Sequence, residues 1–262
     1  MLPILLEFGF LKIYTFGVFL VLAFFWAMYY LWRNIQLTAF KEEEVFDGLF
    51  IALIGAIIVG RLFHVFFHFQ DFGFSFLKII LINGFPGFSL WGGIIGFFIF
   101  LFFFAKSRKI EYAEIVDYFI PPVLLGMAIG KLGAFFAGVE VGSQTSFPLA
   151  LTFAVAEGTR HLTPLYESLM LFLAVFFAHR ILFAIRRDVL SRGFLLLFFF
   201  WSVSLVYLSL DWIRGERTIL MGYSVYGVLS GMILLTLTLY MIYYFRGPIL
   251  QNTIGKFQKK SK

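Results

Sequence analysis

The chain has 262 residues, a formal net charge of +6, no cysteine, 61% hydrophobic and 21% aromatic side chains, and a mean hydropathy of +0.93. That balance excludes a water-soluble globule, in which about a quarter of residues are charged, and describes an integral membrane protein. The missing cysteines exclude disulfides, an enzyme-borne thiol nucleophile and thiolate metal sites, so any thiol chemistry takes its thiol from a partner.

Seven apolar runs follow one another: Ile13 to Trp32, Val45 to Phe67, Phe85 to Ala105, Val116 to Phe136, Leu165 to Phe183, Gly193 to Asp211 and Val225 to Phe245. Each is near the roughly 20 residues a helix needs to cross a bilayer, so the fold class is all-α, a polytopic helical bundle. The first run starts after Lys12 and has no small-residue cleavage signal, which predicts a retained helix. No repeat or low-complexity linker divides the chain, and 1–262 reads as one domain.

Cations gather in alternate loops. Arg33 and Lys41 follow the first run, Lys106, Arg108 and Lys109 the third, Arg180, Arg186, Arg187 and Arg192 the fifth, and Arg246 with the tail lysines the seventh. Short cation-rich loops stay cytoplasmic, which predicts an outside amino terminus and a cytoplasmic carboxyl terminus. The tail 251–262 then serves as an orientation anchor that anionic headgroups attract. The net charge thus calls for a lipid bilayer and no nucleic acid. Arg160, His161, Arg214 and Arg217 fall on the outer face, against the usual bias.

Polar residues within the runs are few. Arg61, His64 and His68 recur at spacings of three and four and share one helical face. Either Arg61 snorkels outward while the histidines line a wet loop, or the face belongs to a site. Two histidines without a third ligand make a poor metal centre. Pro86 blocks an earlier helix start, and Gly87-Phe88-Ser89-Leu90-Trp91-Gly92-Gly93 reads as a turn feeding a tightly packed helix. Gly92 and Gly96 make a small-residue contact step that Gly126 and Gly130 repeat. Lys131 lies in the fourth run, where a cation is costly. It is either a site residue or paired for neutrality with Glu140, Glu167 or Asp211. The loop from Gly138 to Pro164 holds Glu140, Glu157, Arg160 and His161 and exceeds a simple turn.

In order, these motifs resemble the prolipoprotein diacylglyceryl transferase family over nearly the whole chain. Gly60-Arg61-Leu62 is similar to the family's Gly-Arg-Ile/Leu, and Ser89-Leu90-Trp91-Gly92-Gly93 to its Ser-Phe-His-Gly-Gly. Gly130-Lys131-Leu132-Gly133-Ala134-Phe135-Phe136-Ala137-Gly138, with Gly142, resembles the signature Gly-Arg-Ile-Gly-Asn-Phe-x-Asn-Gly-x-x-x-Gly. Pro148-Leu149-Ala150 is similar to Pro-Trp-Ala, Arg160-His161 with Leu165-Tyr166-Glu167 to Arg-His-Pro-Ser-Gln-Leu-Tyr-Glu, and Asp211-Trp212-Ile213-Arg214 to Glu-Phe-Phe-Arg. The chain departs where Trp91 stands for the family's histidine, Lys131 for the signature arginine, Ala134 for an asparagine, Tyr207 for an arginine and Phe16 for a tyrosine. Val139 aligns with a glutamate that Glu140 follows.

The resemblance implies about seven spans with a periplasmic loop region between the fourth and fifth, in the bacterial inner membrane. It implies transfer of diacylglyceryl from phosphatidylglycerol to the lipobox cysteine of preprolipoprotein signal segments, with no cofactor. Lys131 is then the central phosphate contact, with Arg61, Arg160, Arg214, Tyr166 and Tyr207 around the substrate. His161 and Glu140 are the candidate proton acceptors, and Trp91 occupies the histidine's catalytic position. The alternative is a non-catalytic relative that binds phospholipid or a lipoprotein signal segment.

Overall fold

The computed structural model describes residues 2–9, 11–81, 84–153, 156–215, 217, 219–220 and 222–260, with side chains beyond Arg246 outside the described set. A hairpin of β1 (Ile4–Phe8) and β2 (Leu11–Tyr14) leads into α1 (Thr15–Ile35) and α2 (Glu42–Phe67). Two short helices, α3 (Phe69–Phe72) and α4 (Phe76–Ile80), precede α5 (Leu90–Ser107) and α6 (Tyr112–Ala137). After α6 come a second hairpin, β3 (Leu151–Phe153) with β4 (Ala156–Arg160), then α7 (Thr163–Arg186) and α8 (Phe194–Leu210). A 3-10 turn, Asp211–Ile213, a third hairpin, β5 (Ile219–Leu220) with β6 (Tyr223–Ser224), and α9 (Val225–Lys260) complete the order.

Among the described residues seven helices are long and apolar enough to cross a membrane, and they fall on the seven apolar runs. The chain is a polytopic helical membrane protein. The helix expected from Phe85 starts five residues later, because Pro86 precedes it and the Ser89 hydroxyl caps it by accepting from the Gly92 N–H at 3.3 Å. The second helix extends beyond its apolar run to Glu42, where Glu42, Glu43 and Glu44 occupy the first turn and favour the positive end of the helix dipole. Among the described residues three two-stranded hairpins, all antiparallel, are additions to the all-helical expectation. The basic tail is helical to Lys260, while residues 261–262 and the tail's side chains lie outside the described residues.

The chain divides into two compact units, Leu31–Phe119 and the remainder, Met1–Tyr30 with Ile120–Lys262. In the Leu31–Phe119 unit, α2 and α5 cross closely over glycine. A methyl on Gly92 would meet the Val59 carbonyl oxygen at 2.9 Å, one on Gly60 the Ser89 carbonyl oxygen at 3.3 Å, and one on Gly96 would collide with the Gly55 carbonyl. The Gly92–Gly96 step is therefore a helix contact. Leu101, Ile115, Val116 and Phe119 are fully buried in this unit's core.

In the other unit, a methyl on Gly126 would lie 3.6 Å from Ala27 of α1, an ordinary contact, whereas one on Gly130 would meet open space. The expected repeat of the small-residue step thus holds at its first glycine and fails at its second. Gly133 presses against Phe19 instead. The Ser168 hydroxyl donates to the Ala128 carbonyl at 2.8 Å, joining α7 to α6, and Trp201 Nε1 donates to Thr238 Oγ1 at 2.9 Å, joining α8 to α9. Leu124, Leu171, Phe199 and Val203 fill this core.

Candidate functional site

The site grows from the end of α6. Gly138, at φ +68°, adopts the left-handed conformation that glycine tolerates. The Val139 N–H donates to Ala134 O and the Gly138 N–H to Phe135 O, both at 3.2 Å, the pairing of a Schellman cap. This turn stops the helix and sends the chain back, so that Glu140 reaches Lys131.

Beyond Glu140, an extended segment is clamped on both sides. Gly142 bridges Arg214 and Gln144 bridges Arg160 in antiparallel register. The Ser143 N–H donates to Ile213 O at 2.8 Å, the Gly215 N–H to Val141 O at 3.2 Å, and the His161 N–H to Ser143 O at 3.1 Å. Neither Gly142 nor Gly215 can carry a side chain here: a methyl would lie 2.5 Å from the carbonyl oxygen of His161 or of Val141, respectively. This backbone clamp fixes Arg214 over the start of α7, where Glu167 sits.

Four charges meet there. Lys131 Nζ lies 2.5 Å from Glu140 Oε2 and 2.8 Å from Glu167 Oε2. Arg214 donates from its terminal nitrogen to the other Glu167 oxygen, Oε1. The Lys131–Glu167 contact is an ion pair out of line for a hydrogen bond, so Glu167 Oε2 has no aligned donor, and Arg214 Nε is likewise buried without an acceptor. The Arg214 guanidinium stacks 3.8 Å from the centre of the Tyr207 ring, and Lys131 Nζ lies 6.0 Å from that centre. Burial opposes the charge on Arg214, but Tyr207 and Glu167 beside it outweigh burial and raise the guanidinium above its ordinary pKa. Of the three carboxylates offered by sequence as partners for Lys131, two are engaged. The third, Asp211, instead accepts from the Ser224 hydroxyl at 2.7 Å.

The other sequence candidates in this unit lie around the clamp. Arg160 spends its fork on backbone, donating from Nε to Glu157 O at 3.1 Å and from a terminal nitrogen to Gly142 O at 3.2 Å. His161 Nδ1 and the Tyr166 hydroxyl are buried without hydrogen-bond partners. Glu167 is the hub of the cluster, and its sequence signal is the Tyr166-Glu167 motif at the start of a span. Gly215, which completes the clamp, gave no signal beyond following Arg214.

Arg61 and Trp91 belong to the Leu31–Phe119 unit. Arg61 does not snorkel: it is 6% exposed and donates to the carbonyls of Ile79 at 2.9 Å, Gly87 at 2.9 Å and Lys78 at 3.0 Å, with Phe72 beneath it at 5.0 Å. His64 and His68 stack with ring centres 4.3 Å apart, and His64 packs so closely on Gly87 that only glycine, here at φ +140°, fits. Trp91 is buried in the first turn of α5. Among the described residues no group of three His, Asp or Glu is placed to hold a metal ion.

A helical membrane protein whose ionisable residues converge at the ends of spanning segments defines the class. Residues 3–244 match the family model described as prolipoprotein diacylglyceryl transferase. The chain belongs to that family. It is similar to the phosphatidylglycerol–prolipoprotein diacylglyceryl transferase of Clostridium tetani, 29% identical over 68% of this chain and 72% of the relative. The protein of that name from Chromohalobacter salexigens is 26% identical over 86% and 90%, and that from Finegoldia magna 34% identical over 49% and 51%.

Proposed function

We propose that this chain transfers diacylglyceryl from phosphatidylglycerol to the lipobox cysteine of a preprolipoprotein signal segment, on the outer side of a bacterial inner membrane. The observation that carries this reading is the convergence of Lys131 and Arg214 on Glu167 at the mouth of two spanning helices. Family membership and the activity for which the relatives are named support it. The whole of 1–262 acts as one domain, with its amino terminus outside and carboxyl terminus cytoplasmic.

The chemistry sets demands that these residues meet. A sulfur–carbon bond forms at the glyceryl carbon, the carbon–oxygen bond to phosphate breaks, and glycerol phosphate departs with the electron pair. Charge grows on phosphate oxygens, so fixed cations aimed there stabilise the transition state. Lys131 supplies a point charge, and Arg214 supplies the planar fork that a lysine lacks. The thiol proton passes to His161, whose Nδ1 has no partner. Tyr207 and Tyr166 line the headgroup's surroundings. Arg160, whose donors are taken by the carbonyls of Glu157 and Gly142, acts by holding the clamped segment, and Arg61 holds Lys78, Ile79 and Gly87 within its own unit.

A second reading, a relative that binds phospholipid without transfer, is favoured by one observation. Trp91 and Ala134, in the places of a family histidine and asparagine, are each only 2% exposed and offer no proton acceptor. The two readings separate in one experiment: purified full-length protein, phosphatidylglycerol and a lipobox peptide, read by mass spectrometry. Transfer adds diacylglyceryl to the peptide cysteine and releases glycerol phosphate; lipid binding without either product leaves the second reading.

A further inference from the structure

The cluster of two cations and two carboxylates rests neutral, so an arriving anion finds no surplus charge unless a carboxylate leaves. The two carboxylates are not equivalent. Glu167 has a side chain 1% exposed and touches both Lys131 and Arg214. Glu140 has a side chain 52% exposed, and Lys131 is its ion-pair partner among the described residues. It sits on the two-residue stretch between the Gly138 turn and the clamped segment, beside Val139, which is 61% exposed. A half-exposed carboxylate is easily rehydrated, while one buried between two cations is held. Arg214 Nε is a buried donor with no acceptor, and buried donors without acceptors are rare enough to mark a place where a further group is taken up.

We infer that Glu140 is an exchangeable counter-ion: it neutralises Lys131 in the resting protein and swings out when a phosphodiester monoanion takes its place. This rests on the reading that the site takes an anionic phospholipid headgroup. The exchange swaps one monoanion for another and keeps the cluster neutral, with Glu167 fixed beneath.

The test titrates full-length protein in detergent micelles with dihexanoyl phosphatidylglycerol. Glu140→Gln removes the competing charge and binds about fivefold tighter than wild type, the factor expected for an ion pair half open to solvent. Glu140→Asp, which keeps the charge, binds like wild type. Unchanged or weaker binding by Glu140→Gln overturns the exchange. As a second measurement, Val139→Cys gives the cysteine-free chain a single attachment point for an environment-sensitive fluorophore. Its emission shifts on lipid addition if Glu140 moves, and a constant emission under saturating lipid overturns the proposal. Binding that requires Lys131, judged by Lys131→Met, but ignores Glu140 removes the exchange and leaves the phospholipid site standing. Absence of binding in both wild type and Glu140→Gln removes the phospholipid site and the exchange together.

Discussion

A lysine within a spanning helix costs about 2.5–3.5 kcal/mol on insertion scales. Lys131 offsets this with two carboxylates, Glu140 and Glu167, but Glu167 is itself nearly inaccessible and needs both Lys131 and Arg214. The three are mutually dependent, and removing the shared carboxylate strands two cations. Glu167→Leu should therefore destabilise the protein by about 3–5 kcal/mol, the cost of breaking a buried pair from one side. Thermal unfolding in detergent checks this, and the double variant Lys131→Met/Glu167→Leu should recover part of the loss. The sequence made Lys131 conspicuous and offered three possible partners. The choice among them depends on the Gly138 cap and on Ser224 occupying Asp211, contacts that bring distant residues together and leave no local pattern.

Helix contacts in a bilayer favour small residues, because lipid tails solvate leucine as well as another helix does. The α2–α5 crossing shows this on both helices, at Gly55, Gly60, Gly92 and Gly96. Gly96→Leu forces its side chain into the Gly55 carbonyl and should cost about 1–3 kcal/mol as overpacking. Gly17→Ala in α1, with nothing within 4 Å of the added carbon, should instead be neutral or stabilise by up to about 1 kcal/mol through helix propensity. The same unfolding measurement distinguishes the two. All seven spans were legible because each crossing demands a long apolar run. The β3–β4 hairpin and the clamp from Val141 to Gln144 were not, being short, polar and held by partners as far along the chain as Ile213 and Gly215. Arg61 stood out as a cation within a span, but two of its carbonyl partners, Lys78 and Ile79, lie in the short α4 and the third, Gly87, in the turn before α5, contacts that no periodicity announces.

For the molecule as a whole, cation placement predicts the orientation, and the lack of cysteine makes it testable by single additions. Leu149→Cys, at a position 64% exposed in the loop after α6, should react in intact cells with a membrane-impermeant maleimide. Val189→Cys, at a position 71% exposed after α7, should react only once the membrane is opened. The family is established over nearly the whole chain, and it was readable from ordered motifs although several of their chemical residues differ. The role proposed for the charge at position 131 is to hold phosphate during diacylglyceryl transfer. The most direct measurement is the transfer rate to a lipobox peptide by wild type, Lys131→Arg and Lys131→Ala, each followed by mass spectrometry. Transfer by wild type should be retained or improved by Lys131→Arg and reduced at least about a hundredfold by Lys131→Ala, as for other removed transition-state donors. Equal rates for wild type and Lys131→Ala would contradict it.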